Sequence, residues 1–320
     1  MEKFLVIIPL LLFSFLFAED FFYAVSGTTL YRISNEQHRR CTVTEKIPLF
    51  PAEHGWIINA HIEGQDIFFT VRDTGFDFCT FMRFDIQSHL LKEVYTLGYE
   101  EARIDAVYFQ DGNWYTLECG KKQAQNCIVK RSGQNKAVLS SVFVPCLDVY
   151  TEQGYKVVQF EIDTDNGVAF FSLETGSDFY GKKDYVLAAS LKNGEAVFFA
   201  EGRYLSFSAH ERKMYFSREN ALYVFSFDGT DKPGKVSEIK TPARKNERIL
   251  FFKKADDVYV CGFQKRKKNT VMHLLFGYGF NTADEYLICS ETEGTLQKEQ
   301  TLIKIKNALP LFDIKRVTAP

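Results

Sequence analysis

Tyr155-Lys-Val-Val-Gln-Phe-Glu-Ile162, Asp163-Thr-Asp-Asn-Gly167, Val168-Ala-Phe-Phe-Ser-Leu173: two apolar runs with a turn between them. In the first run Val158, Phe160 and Ile162 alternate with Gln159 and Glu161, the period of two that a half-buried strand requires. Asn166-Gly167 supplies the residues that tolerate a tight hairpin turn, and the second run returns. A polar loop from Glu174 to Asp184 leads to Tyr185-Val-Leu-Ala-Ala-Ser-Leu191. Asn193-Gly194 turns the chain again, and Ala196-Val-Phe-Phe-Ala200 closes the unit. Read together, Tyr155 to Ala200 is a four-stranded antiparallel meander.

The same plan recurs on both sides. Downstream, Arg203–Ala209, Lys213–Ser217, Leu222–Phe227 and Lys235–Ile239 form one unit, with Asp228-Gly229 at a turn. Another follows at Ile249–Phe252, Val258–Phe263, Thr270–Tyr278 and Glu285–Cys289. Upstream, Trp56–Leu97 and Arg103–Val144 read as two more. The opening segment Phe21–Lys46 offers three strands only: Phe22–Val25, Leu30–Ile33 and Cys41–Val43. With 31 Phe and 16 Tyr, the composition suits pleated, half-buried surfaces better than helices.

A single meander leaves both faces unpaired, whereas meanders stacked around an axis bury them. The chain is therefore expected to be an all-β propeller of six blades, or seven if two units have been merged, in one domain over residues 19–320. The first unit lacks its innermost strand, and the expectation is that Thr301-Leu-Ile-Lys-Ile305 completes it and closes the ring. Lys213-Met-Tyr-Phe-Ser-Arg-Glu-Asn-Ala-Leu-Tyr-Val-Phe-Ser-Phe-Asp-Gly229 resembles the TolB-like and related bacterial propeller repeats, in which a second strand ends in Asp-Gly. The resemblance covers one unit well and the others loosely. The Ser-Pro-Asp-Gly turn of those repeats and the Trp-Asp of WD repeats are absent, since Trp56 and Trp114 lie elsewhere. It implies a fold and leaves the ligand open.

The N-terminus carries an address. Met1-Glu-Lys3 precedes an apolar run from Phe4 to Phe17, followed by Ala18, Glu19 and Asp20. A run this short matches a secretory signal peptide over residues 1–18, cleaved between Ala18 and Glu19, more closely than a spanning helix; a retained anchor is the alternative. No later stretch is long and apolar enough to cross a bilayer, so the mature chain is expected to be exported, periplasmic or secreted, and monomeric. No Asn-x-Ser/Thr sequon occurs, which leans towards a bacterial envelope. A net charge of −2 argues against a nucleic-acid partner. Of seven cysteines, Cys79, Cys261 and Cys289 sit in apolar strands as small hydrophobes. Cys119 and Cys127 flank a polar hairpin tip, where export would permit a disulfide.

Motifs for chemistry are missing. There is no Gly-x-Ser-x-Gly elbow, His-Glu-x-x-His, Walker sequence, Asp-box or Cys-x-x-Cys pair, and no cofactor is expected. Gly277-Tyr-Gly279 lacks a third glycine, and Asp163–Gly167 has the spacing of a hairpin rather than a calcium loop. Glu53-His54 and His61-Ile-Glu63 come nearest to a metal cluster but straddle a strand. One feature suggests contact with a partner. In a propeller the loops between second and third strands share a face, and here they hold Lys121-Lys122, Lys182-Lys183 and Lys265-Arg266-Lys267-Lys268. The expected function is an exported binding or scaffolding propeller that engages a protein or anionic envelope component through one face or the channel. The competing expectation is a hydrolase or lyase acting on a sugar or peptide at the channel mouth.

Overall fold

A computed structural model describes residues 20–36, 40–119, 125–175, 183–208, 210–218, 220–227, 236–244, 247–265, 284–305 and 311–317. Their strands form six four-stranded antiparallel sheets, the blades of a six-bladed propeller. Blade 1 contains β1 (Asp20–Ser26), β2 (Thr29–Glu36) and β3 (Arg40–Pro48). Blade 2 is β4 (Gly55–Glu63), β5 (Asp66–Asp73), β6 (Phe78–Asp85) and β7 (Leu90–Gly98). Blade 3 is β8 (Arg103–Gln110), β9 (Asn113–Cys119), β10 (Asn126–Ser132) and β11 (Val138–Phe143). Blade 4 is β12 (Tyr155–Asp163), β13 (Val168–Thr175), β14 (Tyr185–Ser190) and β15 (Ala196–Glu201). Blade 5 is β16 (Arg203–Ser208), β17 (Lys213–Arg218), β18 (Ala221–Ser226) and β19 (Val236–Ile239). Blade 6 is β20 (Glu247–Ala255), β21 (Val258–Lys265), β22 (Asp284–Thr292) and β23 (Thr295–Ile305). The last strand, β24 (Leu311–Val317), pairs with β1 and completes blade 1 in the order β24-β1-β2-β3.

The ring is thus closed by the C-terminus, though by a different strand from the one expected. Thr301–Ile305 is the end of β23, paired with β22 from Thr292↔Thr295 to Asp284↔Ile305. Glu293 and Gly294, both at positive φ, make the tight turn of that hairpin and commit β23 to blade 6 along its whole length. The closing strand runs antiparallel to β1, from Val25↔Asp313 to Phe21↔Val317. Blade 6 is corrected accordingly: Glu285–Cys289 belongs to its third strand, and Thr270–Tyr278 lies outside the described residues. A second departure is helix α1 (Pro145–Glu152) between blades 3 and 4. Pro145 at its first turn, where the missing N–H costs nothing, and Asp148 in the same turn are its local signals, and Leu147 anchors it in the core.

Each junction between neighbouring blades holds its own apolar cluster, as stacking of two-faced sheets demands. Between blades 2 and 3, for example, Phe81, Tyr95, Phe109 and Trp114 interlock, the Trp114 ring meeting Phe81 and Phe109 edge-on at 4.9 and 4.7 Å. Blades 6 and 1 are sealed by Phe22, Ile33, Tyr286 and Ile314. Burying side chains of this size contributes about 1.5–3 kcal/mol each, so the closing strand is held by packing as well as by its ladder.

Every innermost strand also carries an irregularity at a matching place. Its pairing with the next strand skips one residue: Ile58 in blade 2, Asp105 in blade 3, Val158 in blade 4, Leu205 in blade 5, Leu250 in blade 6 and Phe312 in blade 1. A bulge of this kind bends the strand and re-aims its side chains. Repeated six times, it sets the wall of the axial channel.

Candidate functional site

All six bulge residues line a cavity of about 440 Å³ on the propeller axis. The residues that follow them line it too: Asn59 and His61, Tyr108, Gln159 and Glu161, Ser206, Lys253, and Asp313. Each inner strand enters from the face where successive blades are linked, hereafter the entry face, and carries its polar residues deeper after the bulge. The wall mixes charges, with the carboxyls of Asp105, Glu161, Asp284 and Asp313 against Arg203, Arg248 and Lys253. Two of these form a chain across blade 6, Arg248 Nε donating to Gln264 Oε1 at 2.9 Å and Gln264 Nε2 to Asp284 Oδ1 at 3.1 Å.

Around the channel one side chain from each blade joins a polar belt, of which five line the cavity while Tyr204 is fully buried. Asp313 of blade 1 accepts from Lys253 Nζ of blade 6 and lies 3.2 Å from His61 Nδ1 of blade 2. Its oxygens also accept the backbone N–H groups of Ile62 and Ile314, at 2.7 and 2.8 Å. Glu161 of blade 4 accepts from Tyr108 of blade 3 at 3.3 Å and from Tyr204 of blade 5. The His61 and Tyr108 rings, 5.7 Å apart, bring the two halves together.

The two carboxyls of the belt are driven in opposite directions. Burial alone would raise Asp313, but Lys253 and His61 outweigh it and hold this carboxyl below the usual carboxylate range. Burial pushes Glu161 up, and the hydrogen bond from Tyr204 with the charges of Lys253 and His61 only partly counters it. Lys253 is lowered by burial but raised on balance by Asp313. Burial likewise lifts both tyrosines well above their ordinary value, with Glu161 adding to it. Carboxyls displaced apart in this way can divide proton-holding from charge-holding in one site.

Of the residues singled out from the sequence, His61 belongs to this belt, while His54 lies on the 3-10 turn Ala52–His54 before β4, so the strand does separate them. Among the described residues no group of three or more His, Cys, Asp or Glu is placed to hold a metal ion. Of the basic residues singled out from the sequence, Lys183 and Lys265 are described. Lys183 is exposed and pairs with Glu201 at 2.6 Å, and Lys265 ends β21. Lys121, Lys122, Lys182, Arg266, Lys267 and Lys268 lie outside the described residues, as do Ala18 and Glu19. In the β9–β10 hairpin Cys119 is opposite Asn126, and Cys127 opposite Glu118. The two cysteines therefore face opposite sides of the blade, and a disulfide between them would require the register to slip by one residue. Sequence reading misses Asp313, Lys253, Glu161, Tyr108 and Tyr204. Each comes from a different blade, so no local motif announces them.

No family model matches the chain, and no curated protein matches it in sequence. Solved structures resemble it in shape. A chain from the crystal structure of a nidogen/laminin complex matches with a TM-score of 0.52 at 8% identity, over 94% of this chain and 99% of that one. A putative 6-phosphogluconolactonase from Bacteroides uniformis gives a TM-score of 0.47 at 11% identity, over 94% and 100%. Identities this low speak for the β-propeller fold alone.

Proposed function

We propose that this chain is an exported binding propeller, and that its axial channel receives a small polar ligand, uncharged or zwitterionic. The observation that carries the reading is the axial cavity of about 440 Å³, open to solvent at one side and within the range of small-molecule sites. Its mixed charges disfavour a strongly anionic or cationic occupant. The hydrogen bonds among the belt's own members hold the channel wall fixed, which lowers the ordering cost of binding. Export rests on the N-terminal leader pattern. The basic loops extend the reading to an anionic partner docking on the entry face.

Val158 lines the channel with 46% of its surface exposed, so Val158→Trp should obstruct the cavity without touching the belt. Panels of neutral saccharides and zwitterionic short peptides are expected to include compounds that raise the melting temperature of the parent chain by several degrees and leave Val158→Trp unmoved. Shifts that persist in the variant, or no shift from either panel, contradict the channel. Retention on anionic beads that ignores salt and the change of Lys265–Lys268 to Gln contradicts the docking face.

A second reading, an exported hydrolase or lyase at the channel mouth, is favoured by the opposed carboxyls Glu161 and Asp313. It ranks lower because their oxygens are occupied by protein partners.

A further inference from the structure

Independently of the channel, the entry face of blade 2 exposes a strip of aromatic side chains. Trp56 is 37% exposed, Phe76 59%, Phe78 52% and Tyr99 46%. They come from three places that the propeller topology brings to one face: the start of β4, the β5–β6 loop and the residue after β7. The strip therefore runs radially, from Trp56 beside the channel wall to Tyr99 at the rim. Its members are linked. The Trp56 and Phe76 rings lie 4.9 Å apart, a side chain at Gly98 would meet the Phe78 ring at 3.8 Å, and Tyr99 N–H donates to Asp77 O at 2.7 Å.

The loop holds its central ring outward against its own backbone preference. Phe76 has φ 62°, a left-handed conformation unfavourable for a bulky residue. Asp73 fixes it, its carboxylate accepting the Phe78 N–H at 2.7 Å and the Gly75 N–H at 3.1 Å, while its carbonyl accepts the Phe76 N–H at 3.2 Å. A strained residue that keeps an apolar ring in water is a feature of recognition surfaces, and exposed apolar groups of this kind mark interaction sites.

The shape and charge of the strip select its partner. The Trp56 and Phe76 rings meet at 69°, forming a notch for an inserted side chain rather than the flat platform that a sugar ring stacks on. Glu53 and Asp77 are exposed around it, Glu101 is paired with Lys136 at 3.1 Å, Arg72, opposite Trp56, donates to Ile104 O, and Arg103 is paired with Asp105 at 3.6 Å. Acidic groups beside aromatic faces attract Lys and Arg, through charge and through cation–π contact, and repel an anionic membrane. We infer that the Trp56–Phe76–Phe78–Tyr99 strip docks an extended segment of a partner protein in which apolar residues are interspersed with Lys or Arg.

The test uses the full chain and a labelled peptide repeating Pro-Leu-Lys, with Pro-Leu-Glu as its counterpart. Phe76→Gly separates binding from folding, because glycine adopts this φ without strain; its melting temperature should equal or exceed that of the parent. The lysine peptide is expected to bind the parent at least about tenfold more tightly than the glutamate peptide, and to lose about tenfold in Phe76→Gly and in Trp56→Ala. Failure of the lysine peptide to bind the parent, equal binding of the glutamate peptide, or affinity unchanged in both variants would overturn the assignment.

Discussion

Asp313 accepts from two backbone N–H groups and from Lys253, with His61 Nδ1 at 3.2 Å, and so ties three blades with one carboxylate. Replacing it with Asn keeps the shape and leaves Lys253 without its counter-charge. Breaking a buried pair typically costs ~3–5 kcal/mol; because Lys253 keeps 34% of its side chain exposed, about 2–3 kcal/mol is expected here. The sign with pH follows from the direction of its shift. The folded value of Asp313 lies below its unfolded one, so its contribution is present above about pH 4 and is lost as pH falls through the folded value. Melting curves should show the deficit of Asp313→Asn at neutral pH shrinking in acid. Glu161, raised by burial, works the other way. Its contribution is present at low pH and lost as pH rises, so Glu161→Gln should gain on the parent as the solution becomes more alkaline. A deficit of Asp313→Asn that grows in acid contradicts the belt. Little of this is legible from sequence. Glu161 reads as the polar side of an alternating strand, and His61 has Glu63 and His54 as its neighbours along the chain, whereas its partner stands at the far end.

At the scale of the element, turns are the most legible feature and their tertiary use the least. Asn193-Gly194 marks the turn after β14, as its residue types require. What the sequence does not disclose is that this turn also fastens blade 4 to blade 3. Gly194 sits at φ +72°, and a Cβ there would lie 1.9 Å from Phe143 O and 2.9 Å from Pro145 Cδ; its carbonyl accepts the Cys146 thiol at 3.1 Å. Gly194→Ala should therefore cost about 2–4 kcal/mol in urea unfolding, combining overpacking with an unfavourable φ. Gly64, at φ +61°, serves as the comparison, since a Cβ there would meet no atom within 4 Å, and Gly64→Ala should cost about 1 kcal/mol. Equal costs at the two positions would contradict the interlock. The closing strand is hidden for a related reason. In Leu311-Phe-Asp-Ile-Lys-Arg-Val317 the polar channel takes Asp313, while Lys315 reaches Gly64 O and Arg316 reaches Asp257, so all three break the apolar pattern that marks the outer strands.

For the whole molecule, the repeat is the part that sequence conveys most fully, because each meander obeys period-two patterning and needs neighbours on both faces. Six blades close only if β24 supplies the innermost strand of the first, and this closure surrounds the channel and brings Phe21 and Val317 together on the face opposite the entry face. The register makes the claim directly measurable. Phe21 is opposite Val317, whereas Ile303, in the segment that the sequence suggests for closure, pairs with Tyr286 in blade 6. In the double variant Phe21→Cys with Val317→Cys, mild oxidation should link the two strands, seen by peptide mapping as one cross-linked fragment, and should raise the melting temperature. The companion variant Phe21→Cys with Ile303→Cys should yield no such fragment. A link to position 303, or none to position 317, would contradict a ring closed by Leu311–Val317.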